Sequence, residues 1–140
     1  MSAFSASPDN ASMPAATVIP VLHYPDVLAA SVWLQRAFGF EERLRIGGHR
    51  IQLNVGSAAI VLAQGSAPAS AHFSIMVRVA DADRHAKAAE AAGAKLVAPP
   101  QTFPYGERQY TAIDPSGYAW TFSQSVANVH PSAWGGELVE

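Results

Sequence analysis

Two arginines and two histidines are the side chains of this chain best suited to ligand binding or proton transfer. Arg50 and Arg108 each fall in a stretch that alternates like a strand, and a guanidinium presents parallel donors that fit a carboxylate or a phosphate. His72 opens another such stretch, and an unperturbed imidazole, titrating at about 6.5, serves as acid or base near neutrality. His23, near the end of the first apolar stretch, is a second candidate of that kind. His49 in a turn, His85 on a helix and His130 near the C-terminus are expected to be solvated. Tyr105, in Phe103-Pro-Tyr-Gly106, stands on a loop where an aromatic ring can close over a ligand. Familiar catalytic constellations are missing: there is no nucleophile elbow, no phosphate-binding glycine loop and no His pair at i, i+4. The chain contains no cysteine, which removes thiol nucleophiles, thiolate zinc sites and disulfides and suits a reducing cytoplasm.

Composition narrows the partners further. A chain of 140 residues with 49% hydrophobic content is long enough to bury its own core. Its 9 Lys and Arg are scattered and the net charge is -2, so no basic stripe is available to follow a nucleic-acid backbone. The N-terminus has neither the basic residues nor the apolar run of a signal peptide, and no apolar stretch approaches the roughly 20 residues that span a bilayer. The sequence therefore points to a cytoplasmic protein with a small-molecule partner, and to neither nucleic acid nor membrane.

The elements that must position these residues occur twice. Residues 1–16 are rich in Ser, Ala, Pro and Asn without periodicity and are expected to form a flexible arm. A first module over residues 17–64 opens with a strand, Thr17 to His23, in which Pro20 signals an edge or a bulge. Asp26 can cap a helix from Val27 to Phe38 that ends at Gly39. Three strands follow, Glu41 to Ile46, Arg50 to Val55 and Ala58 to Ala63. Residues 65–71 form a small-residue linker, and the order then repeats in a second module over residues 72–125. There His72 to Val79 is a strand, Asp81 or Asp83 can cap an alanine-rich helix over Ala82 to Ala92, and Gly93 ends it. The last strands are Lys95 to Ala98, Glu107 to Ile113 and Tyr118 to Gln124, the final two joined by Asp114-Pro-Ser-Gly117. Gly39 and Gly93 lie 54 residues apart in matching contexts, so the repeat specifies an α+β fold: two βαβββ modules whose curved mixed sheet surrounds a cleft. Residues 126–140 form a tail in which Trp134 can pack on the domain or on a second subunit, and a homodimer is expected.

Alternation along the strands assigns faces. Tyr118, Trp120 and Phe122 belong against a helix, which leaves Ala119, Thr121 and Ser123 toward the cleft. With Ile113 and Tyr118 as cross-strand neighbours, Arg108 and Tyr110 also face the cleft. In the first module Ile51, Leu53 and Val55 go to the helix and Arg50, Gln52 and Asn54 to the open side. Phe73, Ile75, Val77 and Val79 are core, so His72, Ser74 and Met76 are open. The expected ligand-binding set is thus Arg50, Gln52, Asn54, His72, Met76, Tyr105, Arg108, Tyr110 and Thr121.

The paired repeat, the glycine-terminated Arg36-Ala-Phe-Gly-Phe40 and the run Tyr105-Gly-Glu-Arg-Gln-Tyr-Thr-Ala-Ile-Asp-Pro-Ser-Gly-Tyr-Ala-Trp-Thr-Phe122 resemble the vicinal oxygen chelate superfamily. That group includes glyoxalase I, bleomycin resistance proteins and extradiol dioxygenases, and the resemblance covers Thr17 to Gln124. It implies metal ligands, one each from the first and fourth strands of both modules, at Ile19, Val61, Ser74 and Thr121. None of these is a normal donor for a divalent transition metal. The resemblance thus implies a binding protein without a metal cofactor, as in resistance by sequestration. A metal-dependent lyase or isomerase of the glyoxalase type, or a dioxygenase, is the alternative, with His23, His72 and an acid such as Glu107 as ligands.

Overall fold

Asp26, extended at its own backbone, accepts a hydrogen bond from the Ala29 amide over 3.0 Å and starts helix α1 (Val27–Phe38). Gly39, at φ 81°, ends it in the left-handed conformation that a side chain would strain. Around this helix the first unit of the chain, Met1–Pro68, builds β1 (Val21–Tyr24), β2 (Glu41–Ile46), β3 (Arg50–Val55) and β4 (Ala58–Gln64). The sheet order is β1-β4-β3-β2, with β1 parallel to β4 and the other pairs antiparallel. Residues 10–66 and 74–138 are described by the structure, a computed structural model.

The second unit, Ala69–Glu140, repeats the scheme with β5 (Ser74–Arg78), α2 (Ala82–Ala91), β6 (Lys95–Thr102), β7 (Glu107–Ile113) and β8 (Ala119–Ser125) in the order β5-β8-β7-β6. Asp81 caps α2 by accepting from the Arg84 amide over 3.0 Å. The expected α+β pair of βαβββ modules is present as two four-stranded mixed sheets, each with its own helix. A short 3-10 helix, Pro131–Trp134, follows. Among the described residues no helix is long and apolar enough to cross a membrane.

Differences from the expected boundaries have local causes. β1 begins at Val21 and not Thr17, because Pro20 has no N–H; its carbonyl still accepts from Val61 over 2.9 Å at the edge of the sheet. β6 runs on through Pro99 and Pro100 to Thr102, with register shifts that an edge strand tolerates. From Asn10 onward the N-terminal arm is bonded to the first unit: Ser12 O accepts from Gln52 and Ala11 O from Arg43.

Each core lies between a helix and one face of its sheet. In the first unit Leu22, Val27, Leu34, Phe38, Ile51, Leu53 and Leu62 are buried. In the second, large side chains on the strands, Tyr110, Trp120 and Phe122, meet small ones on α2, Ala82, Ala86 and Ala89. Those alanines recur at helical spacing, which lets the helix axis approach a sheet that carries the bulk.

The turn between β7 and β8 is organised by Asp114, a buried carboxylate. Its Oδ1 accepts from the amides of Ser116 and Tyr118, both at 3.0 Å, and its Oδ2 accepts from Trp120 Nε1 at 3.1 Å. Asp114→Ala leaves the Tyr118 amide and the Trp120 indole N–H without this acceptor in the core. Urea denaturation is expected to show a loss of roughly 3 kcal/mol; a loss within experimental error would mean that other groups hold the turn.

Candidate functional site

The face of the second sheet turned away from α2 carries a continuous polar strip. Glu107 lies opposite Ser125, Gln109 opposite Ser123, and Thr111 opposite Thr121. The Ser123 hydroxyl donates to Glu107 Oε1 over 2.7 Å, Gln109 Nε2 donates to Ser123 Oγ over 3.0 Å, and Tyr105 OH donates to Gln109 Oε1 over 3.2 Å. The hydroxyls of Thr111 and Thr121 share a hydrogen bond of 2.8 Å. On β5, Met76 stands in register with Thr121 and is 61% exposed, while Arg78 donates to Ser125 Oγ over 2.5 Å. Hydrogen bonds from Ser125 and then Ser123 hold the Glu107 carboxyl below the usual glutamate range, and the Arg78 charge adds to this. At neutral pH the strip therefore offers an ionised acceptor, a guanidinium, an amide and several hydroxyls.

Tyr105 joins this strip to the C-terminal tail. Its ring stacks on Phe103 at 5.5 Å with an interplanar angle of 4°, and meets Trp134 edge-on at 5.5 Å. The loop is tied down where Gly106 O accepts from the amides of Val126 and Ala127. A Cβ at Gly106, whose φ is 85°, would run into the Ala127 carbonyl, so glycine is needed for this close approach.

On the first sheet Arg50, Gln52 and Asn54 fall opposite Ala63, Val61 and Ala59, on the face away from α1. Val21 and His23 share that face through their register with Val61 and Ala63. Gln52 is buried, and its side chain is engaged by Arg43 and by the arm.

Two of the expected site residues are on the other face. Ile113 pairs with Ala119, and not with Tyr118, so the register differs by one residue from the expected one. Because side chains alternate, this turns Arg108 and Tyr110 toward α2. Arg108 makes a two-pronged ion pair with Asp83, 2.9 Å on both arms. Tyr110 OH lies 2.5 Å from His85 Nδ1 and its ring stacks on Phe122 at 5.1 Å, with burial pushing the phenol's titration upward. The same contact corrects the expectation for His85, which is half-buried, 4.3 Å from the Phe122 ring. His72 lies outside the described residues.

The same one-residue difference brings in Glu107 and Gln109, which alternation from the correct pairing would have found. Arg43 is a different case: it is the extra residue of a β-bulge between Glu42 and Leu44, and strict alternation does not follow a bulge.

The positions at which the resemblance implies metal ligands do not provide a donor set. Val61 is buried against Val21 and Gln52 in register, and Thr121 is bonded to Thr111. Ile19 precedes β1, and Ser74 is exposed at the start of β5. Among the described residues no three His, Cys, Asp or Glu side chains come together. Isoleucine and valine offer no donor atom, and neutral serine and threonine hydroxyls do not fit a divalent transition metal.

Residues 19–122 match the family model of the Glyoxalase/Bleomycin resistance protein/Dioxygenase superfamily. Among solved structures, TioX from Micromonospora sp. ML1 is 34% identical with a TM-score of 0.67, the alignment covering 76% of this chain and 96% of that one. A glyoxalase/bleomycin resistance protein/dioxygenase family enzyme from Burkholderia phytofirmans PsJN is 22% identical, with a TM-score of 0.68 and the same coverage of both chains. A mutant of the genomically encoded fosfomycin resistance protein FosX from Listeria monocytogenes, complexed with Mn(II) and 1S,2S-dihydroxypropylphosphonic acid, is 18% identical, with a TM-score of 0.64 over 74% of this chain and 84% of that one. The last two likenesses concern the fold alone. No curated protein matches the chain.

The Glu107 carboxyl supplies a direct check of the strip. Its folded-state pKa is depressed, so its contribution to stability is full above the unfolded glutamate value of about 4.3 and is lost as pH falls through the folded value. Carboxyl titration by NMR is expected to place its midpoint below that of an ordinary glutamate, and the double substitution Ser123→Ala with Ser125→Ala to move it upward. A wild-type midpoint at or above the ordinary value would break the strip as described.

Proposed function

The chain belongs to the glyoxalase/bleomycin resistance protein/dioxygenase superfamily, and from that premise we propose that it binds a small organic molecule against the open faces of its sheets without a resident metal ion. The observation that carries this reading is the pairing at the positions where the superfamily would chelate. Val61 meets Val21, and Thr121 meets Met76 and Thr111, so that apolar and hydroxyl groups replace imidazole and carboxylate. Binding by such a surface needs only apolar contact and a few oriented donors and acceptors. Met76 and Tyr105 supply the first, and Gln109, Glu107 and Arg78 the second.

The chemistry open to this arrangement without a metal is limited. Glu107, ionised at neutral pH, accepts hydrogen bonds from a ligand's amine or hydroxyl more readily than it gives up a proton. Its hydroxyl partners already satisfy part of its acceptor capacity. The strip is therefore suited to holding a molecule and poorly suited to transforming one.

Elemental analysis of protein purified without chelator, joined to a thermal-shift screen of small molecules, tests the reading. The metal content is expected to fall well below one ion per chain after dialysis. A binder at 100 times its Kd adds about 2.7 kcal/mol of stability, which raises Tm by several degrees. A stoichiometric Fe, Zn, Ni or Mn ion that survives dialysis would overturn the metal-free reading.

A further inference from the structure

Ala11 and Ser12 place two successive backbone oxygens on the open face of the first sheet, where side-chain donors receive both. Arg43 Nη2 donates to Ala11 O over 2.9 Å, and Gln52 Nε2 donates to Ser12 O over 2.8 Å. The two donors are locked to each other, since Arg43 Nη1 donates to Gln52 Oε1 over 2.6 Å. Gln52 is only 3% exposed, so its carboxamide has little freedom to point elsewhere. The arm is shaped for this contact by a turn in which Met13 N donates to Asn10 O over 3.1 Å and Ser12 N to Asn10 Oδ1 over 3.0 Å.

The acceptors are poorly matched to the charge they meet. The ion pairs among the described residues are Arg45 with Glu42 and Arg108 with Asp83; Arg43 is in neither, and its partners are neutral. The bulge at Glu42/Leu44 brings it to a face that also carries Arg50 and His23. Glu41 is on this face as well, but opposite Asn54 at the start of β2 and exposed. A hydrogen bond from a guanidinium to an anionic oxygen is shorter and stronger than one to a peptide carbonyl. The Arg–Gln pair that donates to two neutral carbonyl oxygens has the donors to hold a carboxylate, which adds a full negative charge opposite the guanidinium. Residues 10–13 themselves bury little apolar area, since Ala11 and Ser12 are exposed and Met13 is 49% exposed, whereas Pro14, which follows them, is buried and marks where the displaceable stretch ends.

We propose that residues 10–13 are a displaceable strap that stands in for a ligand, and that the Arg43–Gln52 pair is a binding site for the carboxylate of a small organic acid. This rests on the small-molecule reading above and names the ligand class for the first sheet. When the acid binds, its carboxylate takes both donors and the arm leaves.

The test uses isotope-labelled full-length protein titrated with sodium benzoate, with benzamide as the neutral control of the same shape. Benzoate, and not benzamide, is expected to shift the side-chain resonances of Gln52 and Arg43 and to lower the heteronuclear NOE of Ala11, Ser12 and Met13 toward that of a free chain. Arg43→Gln is expected to weaken benzoate about tenfold and to release the arm without any ligand, with the amide spectrum of α1 and β4 unchanged as the check on folding. Benzoate that shifts Tyr105 and Gln109 while the arm stays ordered would end the strap and leave small-molecule binding in place. Shifts at Gln52 with an ordered arm, equal effects of benzamide, or no shift at all would overturn the proposal, while the separate screen decides whether the protein binds small molecules.

Discussion

The Asp114 carboxylate fixes which side of β7 faces which way, and the chemistry of the second unit depends on that choice. By accepting from the amides of Ser116 and Tyr118 and from the Trp120 indole, it closes the turn so that Ile113 pairs with Ala119. A pairing shifted by one residue would send Glu107 and Gln109 to the helix and Arg108 and Tyr110 to the open side. The core would then receive the Gln109 carboxamide opposite Phe122 in place of the Tyr110 ring, and Arg108 would lose its partner Asp83 on α2. Burial of Trp120 and Phe122 against the alanines of α2 and the bonding of Asp114 reinforce the same register.

The architecture was legible in the sequence because its signals are local. Asp26 and Gly39 bound α1, Asp81 caps α2, and the alternation of Ile51, Leu53 and Val55 reports the helix side of β3 without reference to any distant residue. The open side of the first sheet was legible for the same reason. The second site is less so: Asp114-Pro-Ser-Gly117 is plainly a turn, but its residues do not say whether Ile113 closes against Tyr118, as expected, or against Ala119, as found. That one-residue difference exchanges Arg108 and Tyr110 for Glu107, Gln109 and Thr111 on the open face. His85 shows a different limit, since nothing near it in sequence announces that Tyr110, 25 residues on, will supply a hydroxyl.

The two modules share a scaffold and differ in the side chains on their open faces. The first presents Arg43, Arg50 and Gln52, with an arm laid over part of that set. The second presents Glu107 with serine, threonine and amide partners, bordered by the ring of Tyr105. Repetition conserves the strand order because each core needs it; the open faces, where packing demands less, are free to diverge.

The most direct measurement is a titration of the labelled protein with Mn(II), whose unpaired electrons broaden resonances near any bound ion. The side chains of Val21 and Val61 in the first sheet, and of Met76 and Thr121 in the second, predict that these residues broaden no more than others of the same strands at every metal concentration. Selective, saturable broadening of either pair at stoichiometric Mn(II) would show a metal centre and contradict the account.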